Sequence, residues 1–178
     1  RCAWSKFREL APILTSRGAS LKVKGKVYKT CVQRTMVYGS ETWPMKKEDM
    51  QRLERTERMM VRWMCGVSLK NRISSDELKE RLGIEGIDEI VERGRLRWFG
   101  HVERKPGESW VSACRKFEVA GTKSKGRNKK TWEECVKKDL NCRGLKAEMA
   151  QDRSNWRSLI GGKRPTRASM ENMDVKRK

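Results

Sequence analysis

Apolar residues recur along the chain at intervals of three and four, and no stretch alternates apolar with polar residues as a half-buried strand would. The pattern therefore predicts an all-α fold. Helices are expected at about 4–14, 21–38, 46–65, 74–83, 87–102, 109–117, 132–140 and 146–160, separated by glycine and proline signals. The helix 46–65 is the most regular, and 74–83 begins with Ser74 and Glu77 in a capping-box pattern.

One charged residue, Glu57, lies within the apolar stripe of the helix 46–65. A buried carboxylate is costly unless it is paired. We expect this side chain to reach water from the edge of the stripe. The alternative is a buried carboxylate with an arginine partner.

The helix 87–102 contains most of the stretch RGRLRWFGHVERK, which holds five basic residues, two adjacent rings and the only histidine of the chain. At about 100° per residue, the predicted core face carries Ile87, Ile90, Val91, Gly94, Trp98 and Val102. Arg93, Arg97 and Arg104 form a row along one flank, and His101 lies at its border with the core face. Trp98 is therefore predicted to be structural, and Phe99 becomes the candidate for stacking on an unpaired base.

Charge narrows the possible partners. The 178 residues include 43 Lys and Arg against 23 Asp and Glu, a formal charge of +20. Nucleic acid fits this excess because each phosphate contact releases counterions, and an anionic membrane surface is the alternative. No apolar run approaches the roughly 20 residues that cross a bilayer, and the first residues lack a signal-peptide core. We expect an intracellular protein, cytoplasmic or nuclear or both.

Two basic elements are candidates for phosphate contact. The first is the arginine row, whose His101 has the option of donating to a phosphate or to a buried carbonyl. The second is the run GTKSKGRNKK, residues 121–130, expected to be a flexible linker without apolar or acidic residues. Its cations are Lys123, Lys125, Arg127, Lys129 and Lys130. The alternative for the arginines and for the linker is a solvated surface without a partner, and the alternative for His101 is a packed residue at the edge of the core.

Strong catalytic motifs are missing: the chain has no glycine-rich phosphate loop, no H-E-x-x-H and no C-x-x-C, and no two aspartates are adjacent. We therefore predict no catalytic residues and no cofactor in this chain. The six cysteines are expected to be reduced thiols. A zinc site from His101, Cys114, Cys135 and Cys142 is a remaining hypothesis, although the spacing matches no compact zinc module.

Four stretches occur in an order that resembles a known family: VYGSETWPM, RLRWFGHVER, GRNKKTWEECVKKDL and AQDRSNWRSLI. They resemble the C-terminal region of the endonuclease-reverse transcriptases encoded by LINE-type non-LTR retrotransposons. The resemblance extends from AWSKFRELAPIL to about Ile160. It implies a fragment of an RNA-directed DNA polymerase without the catalytic palm, with RNA or DNA and the upstream polymerase and endonuclease domains as partners. The first residue, an arginine, also leads us to expect an upstream portion.

The resemblance implies a division of the chain. Residues 1–66 are similar to the helical thumb that grips the template-primer duplex, and 67–120 to a helical C-terminal extension with the family's RxRWxGHV motif. The basic linker 121–130, a helical pair 131–160 and a disordered basic tail 161–178 follow.

The motif corresponds to Arg93, Arg95, Arg97, Trp98, Gly100, His101 and Val102, and its conjectured role is binding element RNA or target DNA. Lys125, Gly126, Arg127, Lys129, Lys130 and Trp132 correspond to the family's GRPxxRW linker. Asn128 replaces the usual proline there, which loosens the linker. The alternative function is a stand-alone basic helical adaptor for an acidic protein or an anionic membrane.

Overall fold

The computed structural model describes residues 2–117 and 130–162, and every regular element within these ranges is helical, which confirms the all-α prediction. The helices are α1 Cys2–Glu9, α2 Ala11–Leu14, α3 Leu21–Val27, α4 Arg34–Met36, α5 Lys47–Met64, α6 Ser75–Leu82, α7 Ile87–Glu103, α8 Trp110–Lys116, α9 Trp132–Arg143 and α10 Arg153–Gly161. A π-helical segment, Tyr28–Gln33, joins α3 to α4, and a 3-10 turn, Ala147–Ala150, precedes α10.

Local capping explains where several helices begin. The Ser74 hydroxyl accepts a hydrogen bond from the Glu77 amide at 3.1 Å, as the sequence predicted for α6, and the helix ends at Gly83 with a φ of 64°. Thr131 forms a full capping box at the start of α9, in which Glu134 is the reciprocal partner. These signals are local in sequence, so the helix positions follow from short stretches alone.

Two predicted helices are divided in the structure. The predicted helix 4–14 breaks at Leu10 into α1 and α2, since Pro12 lies in the first turn of the second helix. The predicted helix 146–160 is replaced by the 3-10 turn and α10. The cause is Asp152, whose carboxylate accepts from the amides of Ser154 and Asn155 at 2.9 and 3.1 Å and so starts a new helix.

The described residues fall into two compact units. Unit 1 comprises those within 1–41 and 45–91, and unit 2 those within 42–44 and 92–178. The predicted boundary at 66/67 does not coincide with this division, because Leu78 and Leu82 of α6 belong to the same core as Met60 of α5. The predicted linker, except Lys130, and the predicted tail, except 161–162, lie outside the described residues.

The interior of unit 1 is an apolar cluster. Its buried members are Phe7, Leu14, Tyr28, Val32, Met60, Val61, Met64, Leu78, Leu82 and Ile84. The Lys24 ammonium, also buried, donates to the Met64 carbonyl at 3.0 Å, which satisfies one acceptor at the end of α5. Helices α3 and α6 approach so closely that a Cβ at Gly25 would collide with the Leu82 backbone.

Glu57 is buried in unit 1 at 2% exposure, so the expectation that it reaches water is wrong. Its carboxylate accepts from Gln33 Nε2 at 3.1 Å and from the Ile87 amide at 3.2 Å. The nearby cation is Lys79, whose Nζ lies 3.8 Å away, and not an arginine. Burial raises the pKa of Glu57, because its charged form loses more hydration than these partners return.

None of the helices in residues 2–117 and 130–162 combines the length and the apolar character that crossing a bilayer requires.

Candidate nucleic-acid interface

The interior of unit 2 is built on α7, α9 and α10. Its buried members are Leu96, Phe99, Val136, Leu140, Ala150, Trp156 and Ile160. The Trp156 indole donates to the Leu96 carbonyl at 3.0 Å, and its ring lies 6.1 Å from that of Phe99. Trp132 also belongs to this aromatic group, with 6.4 Å between its ring centroid and that of Phe99.

Of the two adjacent rings of α7, the one predicted to lie in the core is the more exposed. Phe99 is 4% exposed and packs inside unit 2, so it cannot offer its ring to a base. Trp98, predicted to be a core residue, is only half-buried. Successive residues on a helix point about 100° apart, so a modest rotation of the core face exchanges two neighbours.

Buried ion pairs explain why the core face of α7 is rotated from its predicted position. Arg95 is buried, and its guanidinium donates to the Asp139 carboxylate at 2.7 Å. One turn earlier, the buried Glu92 accepts from Arg143 of α9. Glu92 and Arg95 of α7 therefore both face the interior of unit 2. Arg95 was predicted to contact a phosphate, and its burial makes it unavailable for that contact.

Sequence reasoning missed both partners on α9, Asp139 and Arg143. Asp139 lies three residues after Val136 and one before Leu140, on the buried side of α9. An acidic residue at a predicted core position is the signal that could have identified it, because such a carboxylate requires a cation.

The outer face of α7 carries further cations. Arg97 and His101 are exposed and Arg93 is half-buried, and their four-residue spacing places them along one side of the helix. We call Arg93, Arg97 and His101 the outer row. His101 had two options in the sequence, and the structure places it at the surface, with its ring centroid 5.3 Å from that of Trp98.

Arg104, which the sequence assigned to the same flank, has a different environment. It is half-buried, and its guanidinium donates to the Ala150 carbonyl. That bond uses part of its donor capacity within unit 2. We therefore do not count Arg104 in the outer row, and its predicted contact with a phosphate stays a prediction.

Two glycines of α7 have contrasting surroundings. A Cβ at Gly100 would collide with the Trp156 indole, so only glycine lets α7 and α10 approach this closely. A Cβ at Gly94 would meet no described atom within 4 Å. Packing therefore requires the glycine at 100 and does not require the glycine at 94.

Of the five predicted linker cations, only Lys130 belongs to the described residues. It is exposed and lies two residues before α9. Lys123, Lys125, Arg127 and Lys129 lie outside the described residues. Their predicted role in phosphate contact stays a prediction.

The predicted zinc ligands are not assembled. Cys114 and His101 are exposed, Cys142 is half-buried and Cys135 is buried. Within residues 2–117 and 130–162, no three His, Cys, Asp or Glu side chains lie close enough together to hold a metal ion. The structure therefore gives the zinc hypothesis no support.

Three of the stretches that carry the family resemblance meet in this interior. RLRWFGHVER provides Arg95 and Gly100, and their partners are Asp139 of GRNKKTWEECVKKDL and Trp156 of AQDRSNWRSLI. The resemblance therefore rests on residues that contact one another. Part of the RxRWxGHV motif is explained by packing, while Arg97 and His101 are exposed and Arg93 is half-buried.

Comparison with known proteins gives a coarse assignment. The chain is 24% identical over 172 residues to an uncharacterized transposon-derived protein of Caenorhabditis elegans. The match covers 90% of this chain and 61% of that relative. No family model and no solved structure matches the chain. The similarity indicates a relation to transposon-derived proteins.

Proposed function

We propose that this chain is the nucleic-acid-binding part of a transposon-encoded RNA-directed DNA polymerase, and that it grips RNA or DNA without carrying the catalytic centre. The transposon-derived relative supports the origin. The four stretches described above support the polymerase assignment. The thumb-like region 1–66 belongs mostly to unit 1, and the C-terminal extension 67–120 is divided between the two units.

The observation that carries the proposal is the separation of charge on α7. Its inner cation, Arg95, is neutralised by Asp139. On the outer side of the helix Arg97 and His101 are exposed and Arg93 is half-buried. Guanidiniums one turn apart suit successive phosphates, to which they donate two parallel hydrogen bonds each. With a chain charge of +20, the outer row has the electrostatic background that phosphate binding needs.

The test is the salt dependence of binding to single-stranded RNA, duplex DNA and an RNA-DNA hybrid. About five to eight phosphate contacts give a log-log slope of roughly −5 to −7 for the wild type. Replacing Arg93 and Arg97 together by alanine should lower the affinity and reduce the slope by about two units. A wild-type slope near zero, or no binding at low salt, contradicts the proposal.

A matched control is present on α10. Arg153 and Arg157 are exposed and four residues apart, so their double replacement removes the same charge with the same spacing. We expect this control to keep most of the slope. Equal losses in both double variants contradict the outer row as the binding surface and indicate diffuse attraction by net charge.

Competition separates this proposal from the adaptor alternative. Vesicles of anionic phospholipid or a polyglutamate peptide bind through general charge complementarity and should be displaced by excess RNA. Binding to either probe that persists in excess RNA favours the adaptor and contradicts the proposal.

A further inference from the structure

Gly94 is a glycine in the interior of a long helix, at a place where packing does not call for one. Glycine weakens a helix relative to alanine, because it loses more conformational freedom on folding. A Cβ at this position would enter open space, so no described neighbour requires its absence. The residue therefore lowers the stability of α7 and leaves a gap on its surface.

The gap lies beside the aromatic pair of Trp98 and His101. Trp98 follows Gly94 by four residues, so the two share one side of α7. The His101 ring, tilted by 32° to that of Trp98, lies on the C-terminal side. Gly94, the indole and the imidazole thus lie along one side of α7.

We propose that Gly94, Trp98 and His101 form a stacking site for an unpaired base, with Arg93 and Arg97 on the flanking phosphates. The ligand of such a site is single-stranded nucleic acid, or a segment of nucleic acid whose bases are unpaired. The proposal rests on the proposed function, because it concerns the outer row. An unpaired base has an open face for the indole, whereas a base within a duplex is covered by its neighbours. The adjacent arginines supply the charge complementarity that a strand requires.

The experiment compares three probes on the full chain: an oligouridylate of about twelve nucleotides, an abasic strand with the same number of phosphates, and a blunt duplex. Trp98→Ala should weaken binding to the oligouridylate by about 5- to 150-fold, and binding to the other two probes should change little. Trp98→Phe should restore most of the affinity. Trp110→Ala, which removes an indole that is 76% exposed on α8, is the control and should leave all three affinities unchanged.

Gly94→Gln supplies a second line of testing. Glutamine is a good helix former and fits open space, so the variant should unfold at or above the wild-type temperature. Its side chain fills the gap, so binding to the oligouridylate should weaken while binding to the abasic strand persists. Unchanged affinity for the oligouridylate in this variant overturns the stacking site.

The outcomes distinguish the two proposals. If the wild type binds none of the probes, the proposed function fails and the stacking site fails with it. If the wild type binds the oligouridylate and the abasic strand equally, or if Trp98→Ala weakens both alike, only the stacking site is overturned.

Discussion

The two units bury charge in different ways. Unit 1 places the Glu57 carboxylate in an apolar interior, where its hydrogen-bond donors are an amide side chain and a backbone amide. Unit 2 buries carboxylates against guanidiniums, in the pairs Arg95–Asp139 and Glu92–Arg143. The Lys79 Nζ lies 3.8 Å from the Glu57 carboxylate, whereas each carboxylate of the second arrangement accepts a hydrogen bond directly from a guanidinium. A basic protein therefore does not present all its arginines to a ligand, because unit 2 uses some of them as interior structure.

The largest expected effect is the loss of one partner from a buried pair. Arg95→Ala should lower the free energy of unfolding by about 3–5 kcal/mol, because Asp139 stays buried without a cation. Equilibrium unfolding in urea measures this change. Arg81→Ala, which breaks the exposed Arg81–Glu77 pair of α6, is the control and should cost about 0.5 kcal/mol or less.

A double variant sharpens this prediction. Replacing Arg95 by Met and Asp139 by Leu removes both charges together, and the stability should be well above that of Arg95→Ala. If Arg95→Ala lowers the free energy of unfolding no more than Arg81→Ala does, the buried Arg95–Asp139 pair does not stabilise the interior of unit 2 as proposed.

The next effect concerns the two glycines of α7. Gly100→Ala should destabilise the protein by about 1–3 kcal/mol, since the new methyl group displaces the Trp156 indole. Gly94→Ala should instead stabilise it by about 0.5–1 kcal/mol through helix propensity alone. In urea unfolding, we expect the same Gly→Ala change to lower the free energy of unfolding at position 100 and to raise it at position 94. Equal signs contradict the different roles assigned to these positions.

The smallest effect is a pH dependence that belongs to unit 1. Because burial raises the pKa of Glu57 above its ordinary value of 4.5, the folded protein holds the proton more tightly than the unfolded chain. The stability that this proton contributes is complete below the ordinary pKa and is lost as pH rises through the raised pKa, with a slope of at most about 1.4 kcal/mol per pH unit.

Glu57→Gln tests this dependence. The variant has no proton to lose, and its amide offers a donor to the buried Gln33 Oε1, which accepts no hydrogen bond from the described part of the chain. Relative to this variant, the wild type should lose stability as pH rises from 4.5 toward neutral. A wild-type minus variant difference that stays constant with pH contradicts the assignment.

Local signals made most of the fold predictable. Ser74, Gly83 and the apolar stripe of α5 act within a few residues, so the corresponding helix ends and core face are readable from short stretches. The split near residue 10 and the new start at Asp152 were missed, although Pro12 and Asp152 are themselves local signals. The π-helical segment Tyr28–Gln33 has no comparable mark in the sequence.

The candidate site was harder to predict because its interior is partly charged. A hydrophobic pattern counts Glu92 and Arg95 as surface residues, and this displaced the predicted core face of α7 toward Gly94 and Trp98. The buried partners lie far along the chain, at separations of 44 residues for Arg95 and 51 for Glu92. Spacing within one helix contains no information about such distant partners, whereas Arg93 and Arg97 were correctly placed outside the core face.

The sequence separation between Arg95 and Asp139 also has a consequence for synthesis on the ribosome. Arg95 is translated 44 residues before Asp139, which at roughly 5–20 residues per second leaves it waiting about two to nine seconds. During that interval the inner face of α7 carries both a carboxylate and a guanidinium among its apolar residues. These groups keep water on a nascent helix that an entirely apolar face would expose to aggregation. We therefore expect the charged interior to reduce aggregation of the chain before its partners are made.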